Sequence, residues 1–282
     1  MKTTRKIVKT VSPETATDGA GVLLKRALGT HKLSYIDPFL MLDHFGSDNP
    51  DDYIAGFPMH PHRGIETVTY LLQGAVKHRD SEGNEGIIRA GGVQWMTAGS
   101  GIIHEEMPQI EGGGLEGFQL WVNLPAASKM LKPRYREFKR EEIPVSEPFT
   151  GVSVRVIAGR FEETEGAVTD LEAAAGMYDV EMRQGKSFEH LIPESHNAFI
   201  YVFRGSCCVD TVEGADLSSP VLGLFGEGGS VSLKSGEDGA RFLLVHGSPL
   251  DEPVARYGPF VMNTREEIAT ALEELSSSSF VK

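Results

Sequence analysis

The chain has 282 residues, 40% of them apolar, and a formal charge of −13 spread along its length. This profile allows one large or two ordinary hydrophobic cores, and the acidic balance excludes a direct grip on nucleic-acid phosphates while leaving room for a basic protein partner. Its two cysteines, Cys207 and Cys208, are adjacent and cannot build a disulfide framework, so a reducing, cytoplasmic compartment is expected, or a nuclear one in a eukaryote.

At the N-terminus, "MKTTRKIVKTVSPETATDG" starts basic but has no apolar run of the kind a secretory signal needs. The longest clean apolar run anywhere, "AFIYVF" (198–203), is too short to cross a membrane. The first segment with chemistry in it is "FPMHPHRGIE" (57–66), where His60 and His62 flank Pro61. A proline cannot donate to a sheet ladder and pushes its predecessor out of helical geometry. The segment therefore reads as an extended strand edge, with both imidazoles on one face. By the same alternation Glu66 shares that face unless a bulge intervenes, which makes it a rival carboxylate. Arg63 reads equally as an ion-pair partner or as a substrate-orienting group.

Downstream, "ETVTYLLQG" (66–74), "GIIRAGG" (86–92), "GFQLWVNL" (117–124) and "GVSVRVIAG" (151–159) are short β-rich runs punctuated by glycine. They predict an all-β sandwich or barrel. Among them "GSGIIHEEMP" (99–108) places His104 and Glu106 at the same i, i+2 spacing as the first pair, after a glycine-rich turn. If the two strands face each other inside a barrel, three imidazoles and one carboxylate meet. A sulfur-free set of this kind suits a divalent transition metal, and ligand type alone admits iron(II), manganese, nickel, copper, cobalt or zinc. Four protein ligands on an octahedral ion leave room for water, dioxygen or a chelating substrate. Trp95 and Trp121 read as core residues. His31, His44, His78, His190, His196 and His246 have no partner at ligand spacing and read as structural or solvated.

Residues 132–150 are charged, carry Pro133, Pro144 and Pro148, and show little apolar alternation. They read as the connection between an N-terminal domain, 1–135, and a C-terminal domain, 136–282. A faint repeat supports two copies of one β unit: "TYLLQG" (69–74) and "IYVFRG" (200–205) are each followed by an acidic turn and a glycine pair, Gly91-Gly92 and Gly228-Gly229. Aligned on these glycines, Leu191 and Pro193 fall opposite His60 and His62, and Arg241 and Leu243 opposite His104 and Glu106. The second copy is thus expected to lack the site, although a one-residue slip would bring His190 into register. Cys207 and Cys208, neighbours in a strand, face opposite ways and do not form a joint metal site. Finally, Thr264 and Glu267 form a capping box ahead of Ile268, Leu272 and Leu275, which predicts a C-terminal helix. The tail "SSSSFVK" is expected to fray or dock loosely.

The His-x-His strand and the histidine after a glycine-rich turn resemble the cupin fold. More specifically, "DPFLMLDHF" (37–45), "FPMHPHRGIETVTYLLQG", "QWMTAGSGIIHEEMP", "FQLWVNL" and "YGPFVMNTREEI" are similar to pirin, a two-cupin family, over most of the chain. The resemblance implies two tandem jelly-roll-type β-barrels with a short C-terminal helix. It also implies one iron(II) in the N-terminal barrel on His60, His62, His104 and Glu106, no metal in the C-terminal barrel, and a supporting role for Glu66. Two activities go with the family. One is quercetin 2,3-dioxygenase activity, in which a flavonol chelates the metal through its 3-hydroxyl and 4-carbonyl oxygens, loses a proton to Glu106, and is opened by dioxygen with release of carbon monoxide. The alternative is an iron- and redox-dependent regulator of a transcription factor or an enzyme. A sugar-related cupin is a weaker third reading.

Overall fold

The computed structural model describes residues 3–209 and 214–282. The acidic turn expected after Gly205 falls largely at 210–213, outside the described residues. What is described is all-β, with one α-helix, Arg265–Ser276, near the C-terminus. No helix among the described residues is long and apolar enough to cross a membrane.

The chain forms two compact units, and each takes a terminus from the far end of the sequence. One unit comprises Glu14–Gly29, Pro38–Arg140 and Leu250–Lys282; the other comprises Met1–Pro13, Thr30–Asp37 and Glu141–Pro249. The division therefore differs from the expected 1–135 and 136–282, because backbone pairing outranks chain order. The Ile7–Val11 strand pairs with Val221–Phe225, and the helix packs on the Phe260–Met262 strand beside the first barrel. We call the units the first and second barrel.

The proline-rich stretch 132–150 is likewise no free connection. Arg134–Phe138 pairs with Val93–Thr97 in the first barrel, and Val145–Phe149 with Val152–Ala158 in the second. The prolines fall where the ladder permits them, at strand edges and starts. The two halves of the repeat end alike, at Gly74 with φ +80° and Gly205 with φ +64°, where any Cβ would run into the carbonyl of Gly114 or Gly239.

In the second barrel, Ser230–Gly247 lies between Asn197–Val209 and Ala175–Met182, and alternate residues of these strands fill a core around Tyr178, Phe188, Ile200, Phe242 and Leu244. Cys207 is buried and Cys208 half-buried, on opposite faces as the alternation requires. The first barrel pairs a seven-stranded sheet with a four-stranded one, whose order is Phe57–His62, Ile102–Gln109, Ala75–Asp80, Glu85–Arg89. Its C-terminal helix carries the expected capping box between Thr264 and Glu267. The buried stripe is Ile268 and Ala271 with Leu275 partly covered, while Leu272 is 37% exposed. The tail does not dangle: Phe280 is 1% exposed among Phe260, Met262 and Ile268.

Candidate metal centre

The four-stranded sheet of the first barrel sets the site by register. His104 pairs directly with His60, and Ile102 with His62. Since side chains alternate and directly paired residues share a face, His60, His62 and His104 project together. On the other side of the same strand, His104 pairs with Asp80 and Glu106 with His78, which puts those three groups on that face as well. The burial of Ile102–Gln109 alternates strictly, with Ile102, His104, Glu106 and Pro108 inside.

The three expected histidines do converge. Each offers a ring nitrogen within 4.8 Å of the others. His60 Nδ1 lies 2.8 Å from the carbonyl of Pro58, and His62 Nδ1 3.4 Å from that of Pro259. A carbonyl can only accept, so each Nδ1 carries the hydrogen and each Nε2 keeps its lone pair. His104 is fully buried, and neither of its ring nitrogens has a hydrogen-bond partner. An imidazole N–H or lone pair left bare in the interior costs of order 1–3 kcal/mol. Burial first, and then the neighbouring imidazoles, pushes His62 down to about 3 and His104 well below the usual range, so both stay neutral. Three converging ring nitrogens fit a borderline divalent ion better than any internal hydrogen-bond scheme does.

Glu106 is 4% exposed and lines the same pocket, yet it is not in that set of converging ligand atoms. A register shift between His104 and Glu106 intervenes, and its Oε1 accepts a hydrogen bond from Thr69 Oγ1 at 2.6 Å. Thr69 Oγ1 is also 2.9 Å from the atom placed as Gln119 Oε1, and the oxygen and nitrogen of an amide exchange places by a half-turn. A hydroxyl has one hydrogen, so with that given to Glu106 the Gln119 amide must present its nitrogen.

The other candidate residues separate clearly. Glu66 does not continue the face of His60 and His62, because the chain leaves the Phe57–His62 strand at Arg63 and Gly64 and re-enters the opposite sheet. There Thr97 Oγ1 donates to it at 2.7 Å and Arg136 lies 3.4 Å away. Arg63 is a buried ion-pair partner, 2.6 Å from Glu274 and stacked 4.4 Å over the Phe280 ring. Trp95 is core, but Trp121 lines the pocket, edge-on to His62 at 5.0 Å with Arg256 at 5.0 Å over its ring. The pocket holds about 580 Å³ and is walled by Met41, Phe57, Trp121 and the Gly258-Pro259 turn.

His78 was missed by ligand spacing. Its ring lies 5.4 Å from that of His104 and stacks on Tyr135, and its Nε2 is 3.1 Å from Asp80. The signal was "KHRD", a His-x-Asp pair at the same i, i+2 spacing. Three further histidines gather in the second barrel. His196 Nδ1 is 2.9 Å from His246 Nδ1, and His246 Nε2 is 3.2 Å from Tyr178 Oη, whose hydrogen goes to the carbonyl of Arg160. His246 must then donate to Tyr178 and accept from His196. His190 points inward there, while Leu191 is 58% exposed and Arg241 is paired with Asp179. The inward position thus falls to the residue one place from the counted register. Among the described residues, only the first-barrel triad brings its ligand atoms together.

Comparison with known proteins agrees with this architecture. The pirin family model matches residues 21–122, and the pirin C-terminal cupin domain model matches 177–281. A Pseudomonas aeruginosa protein named "putative quercetin 2,3-dioxygenase" is 48% identical, with 92% of each chain covered. A pirin-like protein of Caulobacter vibrioides is 46% identical over 98% of this chain and 99% of its own length. The crystal structure of a quercetin 2,3-dioxygenase from Acinetobacter baumannii superposes with a TM-score of 0.91 at 34% identity, covering 99% of this chain and all of that one.

Proposed function

This chain belongs to the pirin family, and from that premise we propose that it is a metal-dependent dioxygenase of quercetin-type flavonols, holding iron(II) on His60, His62, His104 and Glu106. The observation that carries this reading is the convergence of His60, His62 and His104, with His60, His62 and Glu106 lining an open pocket of about 580 Å³. The names of the relatives add the substrate class.

A divalent ion bound there supplies Lewis acidity toward chelating oxygens and, as iron, electron exchange with dioxygen. The protein does the rest. Pro58 and Pro259 fix the tautomers that free His60 and His62 for coordination. Met41, Phe57 and Trp121 present apolar surface to a planar substrate and exclude water from it. Glu106, buried and oriented by the Thr69 hydroxyl, takes the proton of the flavonol 3-hydroxyl, a step for which a carboxylate within hydrogen-bond reach is required.

The test compares quercetin loss and carbon monoxide release, with and without dioxygen, in the wild type, His60→Ala and Glu106→Gln, with bound metal measured in each. The expected outcome is oxygen-dependent turnover in the wild type. His60→Ala should lose both metal and activity. Glu106→Gln should lose at least a hundredfold in rate while keeping part of its metal. Full activity in Glu106→Gln removes the assigned base. Tightly held, redox-active iron with no turnover in the wild type turns the reading toward a regulatory module.

A further inference from the structure

The pocket before the three histidines is lined by three carboxylates, Asp18, Asp43 and Glu106, and two guanidiniums, Arg26 and Arg256. Its formal charge is one negative, which a divalent ion converts to one positive. In a partly desolvated cleft that residual charge selects a ligand carrying one negative charge.

The two arginines are not equivalent. Arg26 is committed: its Nε and Nη2 hold both oxygens of Asp43 at 2.8 and 2.7 Å, and Nη2 also meets Asp18 at 2.7 Å. Arg256 has no ion pair among the described residues, and its one hydrogen bond is a long one of 3.4 Å from Nε to the Gly258 carbonyl. It is exposed at the pocket rim, in the Ala255–Tyr257 strand, and is held over the Trp121 ring at 5.0 Å. That same ring meets His62 edge-on at 5.0 Å. A guanidinium with unspent donors therefore stands one aromatic ring away from the metal ligands, pre-positioned by a cation–π contact.

Resting on the dioxygenase reading for its substrate but not for its chemistry, we infer that the pocket takes a planar, monoanionic oxygen chelator and that Arg256 is the residue that selects its negative charge. A neutral planar molecule of the same shape gains nothing from Arg256. A lysine there keeps the charge but loses the planar fork and its stacking on Trp121.

The test uses protein loaded with nickel(II) under nitrogen, so that binding is read without turnover. The wild type, Arg256→Gln and Arg256→Lys are titrated with quercetin, with tropolone as a small monoanionic chelator, and with flavone, which has no ionisable hydroxyl. Bound nickel and melting temperature are measured alongside. Arg256→Gln should bind quercetin and tropolone about tenfold more weakly, the scale of one charge-assisted hydrogen bond. Arg256→Lys should fall between, and flavone binding, bound nickel and melting temperature should not change. Equal affinity of wild type and Arg256→Gln for both anions overturns the inference, and so does loss of nickel in Arg256→Gln. If iron-loaded wild type fails to consume quercetin in air while tropolone binding still depends on Arg256, the dioxygenase reading falls and the anion site stands.

Discussion

Asp80 accepts hydrogen bonds from the backbone amides of Glu82 and Asn84, from the Asn84 side chain and from His78 Nε2 at 3.1 Å. A carboxylate so fully bonded is a fixed post, and it locks the His78 ring against His104 on one side and Tyr135 on the other. Replacing His78 by Phe keeps a ring in the stack but cuts the tie to Asp80, so the His104 ring gains freedom it must lose on binding an ion. Nickel(II) affinity, measured by competition with a chelator, is expected to drop about tenfold, the lower end of what supporting residues contribute. An unchanged affinity would make His78 a packing residue only. The site's residues were legible to different degrees for a physical reason. His60, His62 and His104 announce themselves through i, i+2 spacing within one strand, and their strands do pair. Trp121 reads as core because an indole is large and apolar, and nothing local says that its ring faces a cleft. His78 pairs with Glu106 only across a ladder, a relation that no reading along one strand contains.

Elements extend the same lesson. The C-terminal helix was legible because its capping box is a contact within four residues, whereas the neighbouring strand it packs on, Phe260–Met262, is anchored by a bridge from Phe260 to Arg63, far back in the chain. The device that fixes that partner is Lys129, 1% exposed, whose ammonium donates to the carbonyls of Gly64 and Val261, both at 2.9 Å, and to Asn123 Oδ1 at 2.7 Å. It ties the turn after His62, the end of the Leu115–Asn123 strand and the Phe260–Met262 strand to one point. The Pro259 carbonyl that orients His62 lies beside this knot. Burial lowers Lys129 to about 8, so the clamp spends desolvation energy to hold three acceptors, of which the Gly64 carbonyl has a second donor in the Leu124 amide at 3.4 Å. Lys129→Met takes the ammonium donor from the Val261 carbonyl and the Asn123 amide oxygen and leaves the Gly64 carbonyl only its long bond from Leu124, and a loss of about 3 kcal/mol in denaturant unfolding is expected. The companion observation is metal affinity: a folded fraction of this variant that binds nickel(II) as tightly as the wild type would show that the clamp serves stability alone. "KPRYREF" misled in the opposite sense, since charge and proline suit an edge strand as well as they suit a linker.

For the molecule as a whole, the buried histidines make stability a function of pH. In the metal-free protein, burial lowers His62 and His246 to about 3, His190 to about 4, and His104 well below the ordinary value. The unfolded chain takes up protons at these sites near pH 6.5, while the folded chain does not until far lower. Between about pH 6.5 and 4 the unfolded state therefore holds more protons, and stability must fall as pH falls. Each of these four histidines contributes about 1.4 kcal/mol per pH unit once the unfolded state is protonated, so the pair in each barrel costs roughly 3 kcal/mol per unit, and the second barrel's His196, also lowered by burial, acts in the same direction. Denaturant unfolding of the apoprotein at pH 7, 6 and 5 should show this decline. The double variant His190→Gln/His246→Gln should remove about half of it, because only the second barrel's pair is gone. A slope untouched in that variant would place the acid sensitivity elsewhere. Nickel(II) should act on the first barrel alone: folded His62 and His104 stay unprotonated far below the ordinary histidine range, so protons do not compete with the ion for them between about pH 6.5 and 4, and its stabilisation should persist across that window. It should leave the His190 and His246 contribution as it is in the apoprotein, because those nitrogens do not converge on a common point. Acid is thus expected to weaken both barrels for one reason, buried neutral imidazoles, while metal can relieve only the barrel whose imidazoles were gathered to share an ion.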